Sequence, residues 1–254
     1  MDWSDSGFVL AAKPYGESSL LVSLLTENHG RHAGLVKGGA TRRNSGLYQS
    51  GNEVQGEWRA RLAEHLGNWR IELKSPWSAG LLDKPDRLAA LSAACAMADA
   101  ALPEREPHPA VHAGFRILLA ALDADSDDWP LVYVRWELGL LAELGFGLDL
   151  AHCAATGAVE DLTHVSPKSG RAVSAVAAAP YREKLFRLPG FLSGGRGGPP
   201  ANDVLADIRD GLTLTGFFLE RHVFQPHRQA LPPARARLVD RIAKATAISG
   251  ISAP

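Results

Sequence analysis

Glu53-Val54-Gln55-Gly56-Glu57-Trp58-Arg59-Ala60-Arg61-Leu62 sets Val54, Gly56, Trp58, Ala60 and Leu62 against Gln55, Glu57, Arg59 and Arg61 at a strict period of two. Successive side chains on a strand point to opposite faces, so this period reads as a half-buried strand. The pattern returns downstream, where Trp69, Ile71 and Leu73 alternate with Arg70, Glu72 and Lys74. Upstream lie three more short apolar runs, Phe8 to Ala12, Leu20 to Leu25 and Arg31 to Lys37, broken by Gly, Pro, Glu-Ser and Asn-His. Such punctuation separates strands.

Five short antiparallel strands in residues 1–80 fit a small Greek-key barrel such as the OB-fold, and an SH3-like barrel would give nearly the same pattern. At Ser75-Pro76-Trp77-Ser78-Ala79-Gly80 the period lengthens to that of a helix. Leu88, Leu91, Cys95, Ala98 and Leu102 step along one helical face; Val111, Phe115, Leu118 and Leu122 follow Pro109, and Leu131, Val134, Leu138 and Leu141 follow Pro130. A loop with strand character runs from Asp149 to about Pro189. Beyond the Gly- and Pro-rich stretch 193–200, read as a linker, a helix carries Leu205, Ile208, Leu212, Thr215 and Leu219, and a last one begins after Pro232-Pro233. The expected class is α+β: an N-terminal five-stranded OB-fold β-barrel over 1–80, then a helical bundle over 81–254 with an irregular insertion at about 149–189.

The chain has 254 residues, is 46% hydrophobic and carries a net charge of −1. That composition is globular. No apolar run reaches the length of a membrane span. The start, Met1-Asp2-Trp3-Ser4-Asp5, places acids where a secretory signal carries Lys or Arg, and only Cys95 and Cys153 are present. Both features lead to the expectation of a reduced, cytoplasmic protein. The charge is unevenly spread: +1 over residues 1–82, −9 over 83–161, +3 over 162–219 and +4 over 220–254. An acidic middle that folds away leaves room for a basic face.

Signs of catalysis are few. Walker, dinucleotide and nucleophile-elbow patterns are missing, and the nine histidines include no His-Glu-x-x-His motif. Enzymatic activity is therefore not expected. His152-Cys153-Ala154-Ala155-Thr156-Gly157 has the frame of a zinc knuckle whose second cysteine is replaced. Structural zinc needs four ligands, and Cys153 with His152 and His164 offers three at most, so no metal or other cofactor is expected.

The richest stretch is Arg31 to Arg43. It holds Arg31, Lys37, Arg42 and Arg43 with no acid, and glycines at 34, 38 and 39. Glycines let backbone N–H groups approach an anion, and cations after a barrel strand suit a phosphate backbone. The following strand adds Arg59, Arg61 and Gln55. Trp58, alternating with Gly56 and Ala60, points to the core, which leaves Tyr48 as the expected stacking residue. Three other readings fit parts of the pattern: an RNA-binding barrel, a protein-interaction scaffold, and a hydrolase using Cys153 with His152 or His164.

Val36-Lys37-Gly38-Gly39-Ala40-x-Arg42-Arg43 followed by Gly51-Asn52-x-Val54-Gln55-x-x-Trp58 resembles the RecO family of bacterial recombination mediators. So do Trp3-x5-Val9-Leu10-x3-Pro14-x-Gly16-Glu17-x-Ser19, Leu138-x-Leu140-Leu141-x3-Gly145-Phe146-x-Leu148-Asp149-Leu150-x2-Cys153, and Val165-Ser166-Pro167-Lys168-Ser169-Gly170-Arg171-Ala172-Val173. The resemblance spans roughly the whole chain. It implies an OB-fold with a helical C-terminal domain, binding of single- and double-stranded DNA, and annealing of strands coated by the single-stranded DNA-binding protein, SSB. It also implies docking on the SSB C-terminal tail, partnership with RecR, indirect action on RecA, and a nucleoid-associated place in the cytoplasm. Lys37, Arg42 and Arg43 match as DNA contacts, with Arg31, Arg59 and Arg61 beside them. The four knuckle positions match Cys153, Thr156, Ser174 and Ala177, so three of four ligands are replaced. An acidic tail ending in an apolar carboxylate needs an apolar pocket rimmed by cations, for which Phe218, Arg221 and Arg228 are the candidates.

Overall fold

In the computed structural model, residues 1–41, 44, 46–193 and 204–249 are described. Alternation in the sequence becomes alternation in burial: along β3 (Gly30–Val36) every second residue is buried. With β1 (Asp2–Tyr15), β2 (Ser19–Thr26), β4 (Glu53–Arg59) and β5 (Asn68–Ser75) it forms a ring in the order β1-β2-β3-β5-β4. β1 is long enough to serve two neighbours, Asp2 to Phe8 pairing with β4 and Gly7 to Tyr15 with β2. A register shift between Val9 and Ala11 bends it between the two. The seam between β3 and β5 is a single parallel pair, Leu35 with Asn68, and one bond from the Leu35 N–H to the Gly67 carbonyl at 3.1 Å.

Two expected strand ends move. β4 stops at Arg59, and Leu62 is 48% exposed. Leu73 is 45% exposed, because the β4/β5 register shifts at Glu53/Val54 and the inward alternation of β5 ends with Ile71. The barrel core is built on Trp58 and Trp69. Trp58 donates to the Leu66 carbonyl at 3.1 Å, and Trp69 packs so closely over Gly34 and Gly56 that a Cβ there would lie 2.6 Å and 2.8 Å from the indole.

By contacts the chain divides into two compact units, Met1–Trp129 with Pro232–Leu238, and Pro130–Leu231 with Val239–Pro254. In the first, α1 (Pro85–Ala101) and α2 (Pro109–Asp123) cover the barrel, and Phe8 meets Phe115 at 5.1 Å between ring centroids. Two arginines cap these helices. Arg31 Nε donates to the Leu102 carbonyl at 2.8 Å, and Arg87 donates to the carbonyls of Leu122 and Ala124. Cations suit the negative end of a helix dipole.

In the second unit α3 (Trp129–Glu143) meets α5 (Val204–Leu219), where the Thr215 hydroxyl donates to the buried Glu137 carboxylate at 2.5 Å. The segment expected as an irregular insertion is instead ordered. β6 (Leu162–Val165), β7 (Ala172–Ser174) and β8 (Phe186–Arg187) form a three-stranded antiparallel sheet, with the short helix α4 (Ala175–Ala178) after β7. Strands of two to four residues are too short to show a period. The last helix, α6, is Pro233–Ser249. Among the described residues no helix is long and apolar enough to cross a membrane.

Asp5 ties the β2–β3 turn to β1. Its carboxylate accepts from the Ser6 N–H (2.9 Å), the Asn28 N–H (2.8 Å) and the Asn28 side-chain amide (3.0 Å), and meets His29 Nδ1 at 2.9 Å. Burial alone would raise its pKa, but the bonds from His29 and Asn28 hold it below the usual value. Asp5→Ala is expected to cost about 2–3 kcal/mol near neutral pH. Because the folded pKa is depressed, that contribution is complete above about pH 4 and is lost as pH falls through the folded value. Urea unfolding of both proteins should show the gap shrinking in acid, and a gap independent of pH would assign the effect to packing alone.

Candidate nucleic-acid interface

Lys37 is exposed at the end of β3, and Gly38 turns the chain behind it with a φ of +68°, a conformation favouring glycine. The loop is tied down on its way in: the Gly39 N–H donates to the Val36 carbonyl (3.3 Å) and the Ala40 N–H to the Ser18 carbonyl (3.1 Å). Arg42 and Arg43 lie outside the described residues. The way out is tied by Asn52, which is itself buried. Its side-chain amide donates to the Gly46 carbonyl at 2.8 Å, and its oxygen accepts from the Ser78 N–H (3.2 Å) and hydroxyl (2.9 Å).

Tyr48 is part of this anchor. It is only 8% exposed and belongs to the barrel core, so the expected stacking platform is corrected to a buried plug. Burial also raises its pKa. Arg31 is corrected as well. Besides the Leu102 carbonyl it reaches Asp99 at 3.7 Å, and its side chain is 22% exposed, so its charge serves α1. Sequence reasoning missed this because Asp99 and Leu102 are far away along the chain.

The ring relates one other cation, Arg59, to this strand end. Leu35 pairs with Asn68, and Asn68 pairs with Arg59, so the β3/β5 seam sets Arg59 two strands away from the strand end that leads to Lys37. Arg59 is 81% exposed and touches Asp2 at 3.3 Å; Arg61 is also exposed. Exposed pairs are worth little, so a phosphate can displace that carboxylate. Asp2, Ser4, Glu57, Arg59, Asn68 and Arg70 surround a hollow of about 670 Å³ on β1, β4 and β5, floored by Trp3, Trp58 and Trp69. Trp3 is half-buried and stacks on His29 with centroids 3.8 Å apart. Trp3 and Arg70 lie outside the basic run that drew attention in the sequence, and the fold brings them to this hollow.

Comparison with known proteins bears on what this surface belongs to. The family model "Recombination protein O N terminal" matches residues 1–76, and "Recombination protein O C terminal" matches residues 82–231. The chain is 51% identical over 255 residues to the DNA repair protein RecO of Rhodospirillum centenum, covering 99% of each chain. It is 49% identical to that of Rhodospirillum rubrum (95% of this chain, 96% of the relative) and 49% identical to that of Phenylobacterium zucineum (96% and 99%). The chain belongs to the RecO family.

In this RecO-family chain the knuckle positions are partly assembled. The Ser174 N–H donates to Cys153 Sγ at 3.3 Å, the Ser174 hydroxyl stands 3.5 Å from it, and Thr156 also bonds the sulfur. Ala177 brings no donor atom. Burial would raise the thiol pKa, yet the hydrogen bonds from Thr156 and Ser174 bring it down to about 6. Hydroxyl and amide donors thus surround the sulfur. Among the described residues no three His, Cys, Asp or Glu side chains are grouped closely enough to hold a metal. Among the described residues Cys153 is bonded by Thr156 and Ser174, while His152 Nδ1 meets Asp149 at 3.1 Å and His164 Nδ1 meets Thr163 at 2.8 Å.

The tail-receptor residues separate. Phe218 is 2% exposed and packs against Phe186, which corrects it to core. Its neighbour Phe217 is half-buried with Arg221 over its ring at 5.8 Å, and Arg221 donates to the Pro167 carbonyl at 3.0 Å. Arg228 is exposed with a φ of +56°. An apolar pocket of about 410 Å³ lies elsewhere in this unit, lined by Leu138, Leu148, Leu150, Leu162 and Leu192 among others. Arg135, one turn before Leu138 on α3, donates to the Phe191 carbonyl, next to Leu192 in sequence.

Titration of the ultraviolet absorbance of thiolate should reveal one group with a midpoint near 6, absent in Cys153→Ser. Absence of any thiolate below about pH 8 would show that Thr156 and Ser174 do not stabilise the anion.

Proposed function

We propose that this RecO-family protein acts in DNA repair and recombination by holding single- and double-stranded DNA on its barrel and annealing complementary strands coated by SSB. In this reading the barrel is an OB-fold, residues 1–80 are the DNA-binding module, and residues 81–254 dock proteins. RecR and, through it, RecA are the partners that the family resemblance brings. The observation that carries the reading is the glycine-rich basic loop, anchored on both flanks by Ala40 and Asn52, after a strand whose Leu35 is linked through Asn68 to Arg59 of β4.

Lys37, Arg42, Arg43, Arg59 and Arg61 are the proposed phosphate contacts. Phosphate contacts position a strand without reading its sequence, so binding is sequence-tolerant and salt-sensitive. Annealing needs no covalent step. Cations screen the repulsion between two phosphate chains while the bases stay free to search for pairing. The SSB tail, acidic with an apolar end, fits the leucine-lined pocket, with Arg135 one turn before Leu138, better than it fits the buried Phe218. Docking there raises the concentration of this protein where covered strands are found.

Arg42→Glu with Arg43→Glu is expected to lower DNA affinity by more than about tenfold and to flatten the dependence of log affinity on log salt. Arg31→Ala should lower thermal stability and leave that slope unchanged. Fluorescence anisotropy across a salt series reads both, and unchanged binding in the double variant removes the loop from the mechanism. Leu148→Asp should weaken a fluorescent peptide of the SSB tail by about tenfold, and unaltered peptide binding would move the receptor elsewhere.

A further inference from the structure

Annealing brings two phosphate chains to one protein, and the barrel loop accounts for one. The small sheet of the second unit carries a denser positive surface. Residues 162–193 hold Lys168, Arg171, Arg182, Lys184 and Arg187 against Glu183 alone, a net of +4, whereas residues 1–82 together reach +1. The β6/β8 register sets His164 beside Arg187. The turn Ala179–Lys184 leads directly into β8 and holds Tyr181, Arg182 and Lys184 in the open. Burial first, then the nearby charges of Arg182 and Arg187, depress the His164 pKa, as expected where cations gather on one face.

These cations differ in what they are free to do. Arg171 bonds Asp149 at 3.3 Å, and Arg187 stands 3.7 Å from Asp210. Arg182 and Lys184 form no ion pair among the described residues. Like charges two residues apart and beside Arg187 repel, and an external anion relieves that repulsion. Tyr181, the neighbour of Arg182 in that turn, is 59% exposed. An aromatic ring left in water among unpaired cations is the pairing of elements that holds a base and its phosphate together.

We propose that Tyr181, Arg182, Lys184 and Arg187 form a second nucleic-acid site, which takes the phosphate backbone and a stacked base of the incoming single strand. The proposal rests on the reading that the barrel loop holds the first strand. It turns a DNA-binding protein into one that holds two strands at once, which is what a search for pairing requires.

The test uses the full chain with two oligothymidines of about 15 nucleotides, one bearing a donor fluorophore and the other an acceptor. They cannot pair with each other, so energy transfer reports two strands held together by the protein. Arg182→Glu with Lys184→Glu changes two exposed, unpaired side chains. The variant is expected to lose transfer by about fivefold or more while affinity for a first strand falls by less than about twofold. Tyr181→Ala should lower transfer in part and Tyr181→Phe should retain it. Arg42→Glu with Arg43→Glu, by contrast, should lose the first strand itself. Full transfer in the 182/184 variant overturns the second site and leaves the barrel reading intact. A wild-type protein that binds no strand at low salt overturns both.

Discussion

The five-stranded ring closes only if β3 and β5 can approach, and here that approach is made over one indole. Trp69 of β5 lies against Gly34 of β3 and Gly56 of β4, at distances that leave no room for a side chain at either glycine. The seam itself contributes little, one residue pair and one backbone bond. Packing over Trp69 therefore sets where β3 ends relative to β4. That placement in turn aligns Leu35 with Asn68 and Arg59, and so relates the strand before the basic loop to a cation from a distant part of the sequence. The candidate interface is a consequence of barrel closure.

Charge is sorted in the same way, by what the fold leaves unpaired. Arg31 and Arg87 end up at helix C-termini, and Arg116 bonds the buried Glu53 at 2.9 Å. Those cations hold elements together. Lys37, Arg61, Arg182 and Lys184 remain exposed. A net charge of −1 thus conceals cationic surfaces, because the acidic stretch 83–161 lies mainly in helices α1 to α3 and their connections.

The segment around Cys153 is held by hydrogen bonds to its sulfur and its backbone. Cys153 keeps its place because Ser174 and Thr156 supply donors to the sulfur and the backbone around it is bonded: the Cys153 N–H donates to the Ala158 carbonyl at 2.7 Å and the Ala154 N–H to the Ala172 carbonyl at 2.7 Å. The three short strands that follow are held by their own ladder. The segment therefore folds as a small sheet with a thiol nest at one end.

The strands β4 and β5 and the stripes of α1, α2 and α5 were legible in the sequence, because each rests on a local period. Membership of the RecO family was legible too, through the joint order of several motifs. Tertiary structure alone decided which face of the chain each isolated residue meets. Tyr48 looked free in a loop, yet Asn52 draws that loop inward and buries it. Arg31 looked like a phosphate contact until α1 brought Leu102 and Asp99 to it. Phe217 and Phe218 are adjacent and both pack on Phe186, yet one is half-buried and the other fully buried. Strands β6 to β8 are too short to show any period. A helix or strand is specified by neighbours a few residues away, whereas the burial of one ring or the pairing of one charge depends on groups that only folding brings near.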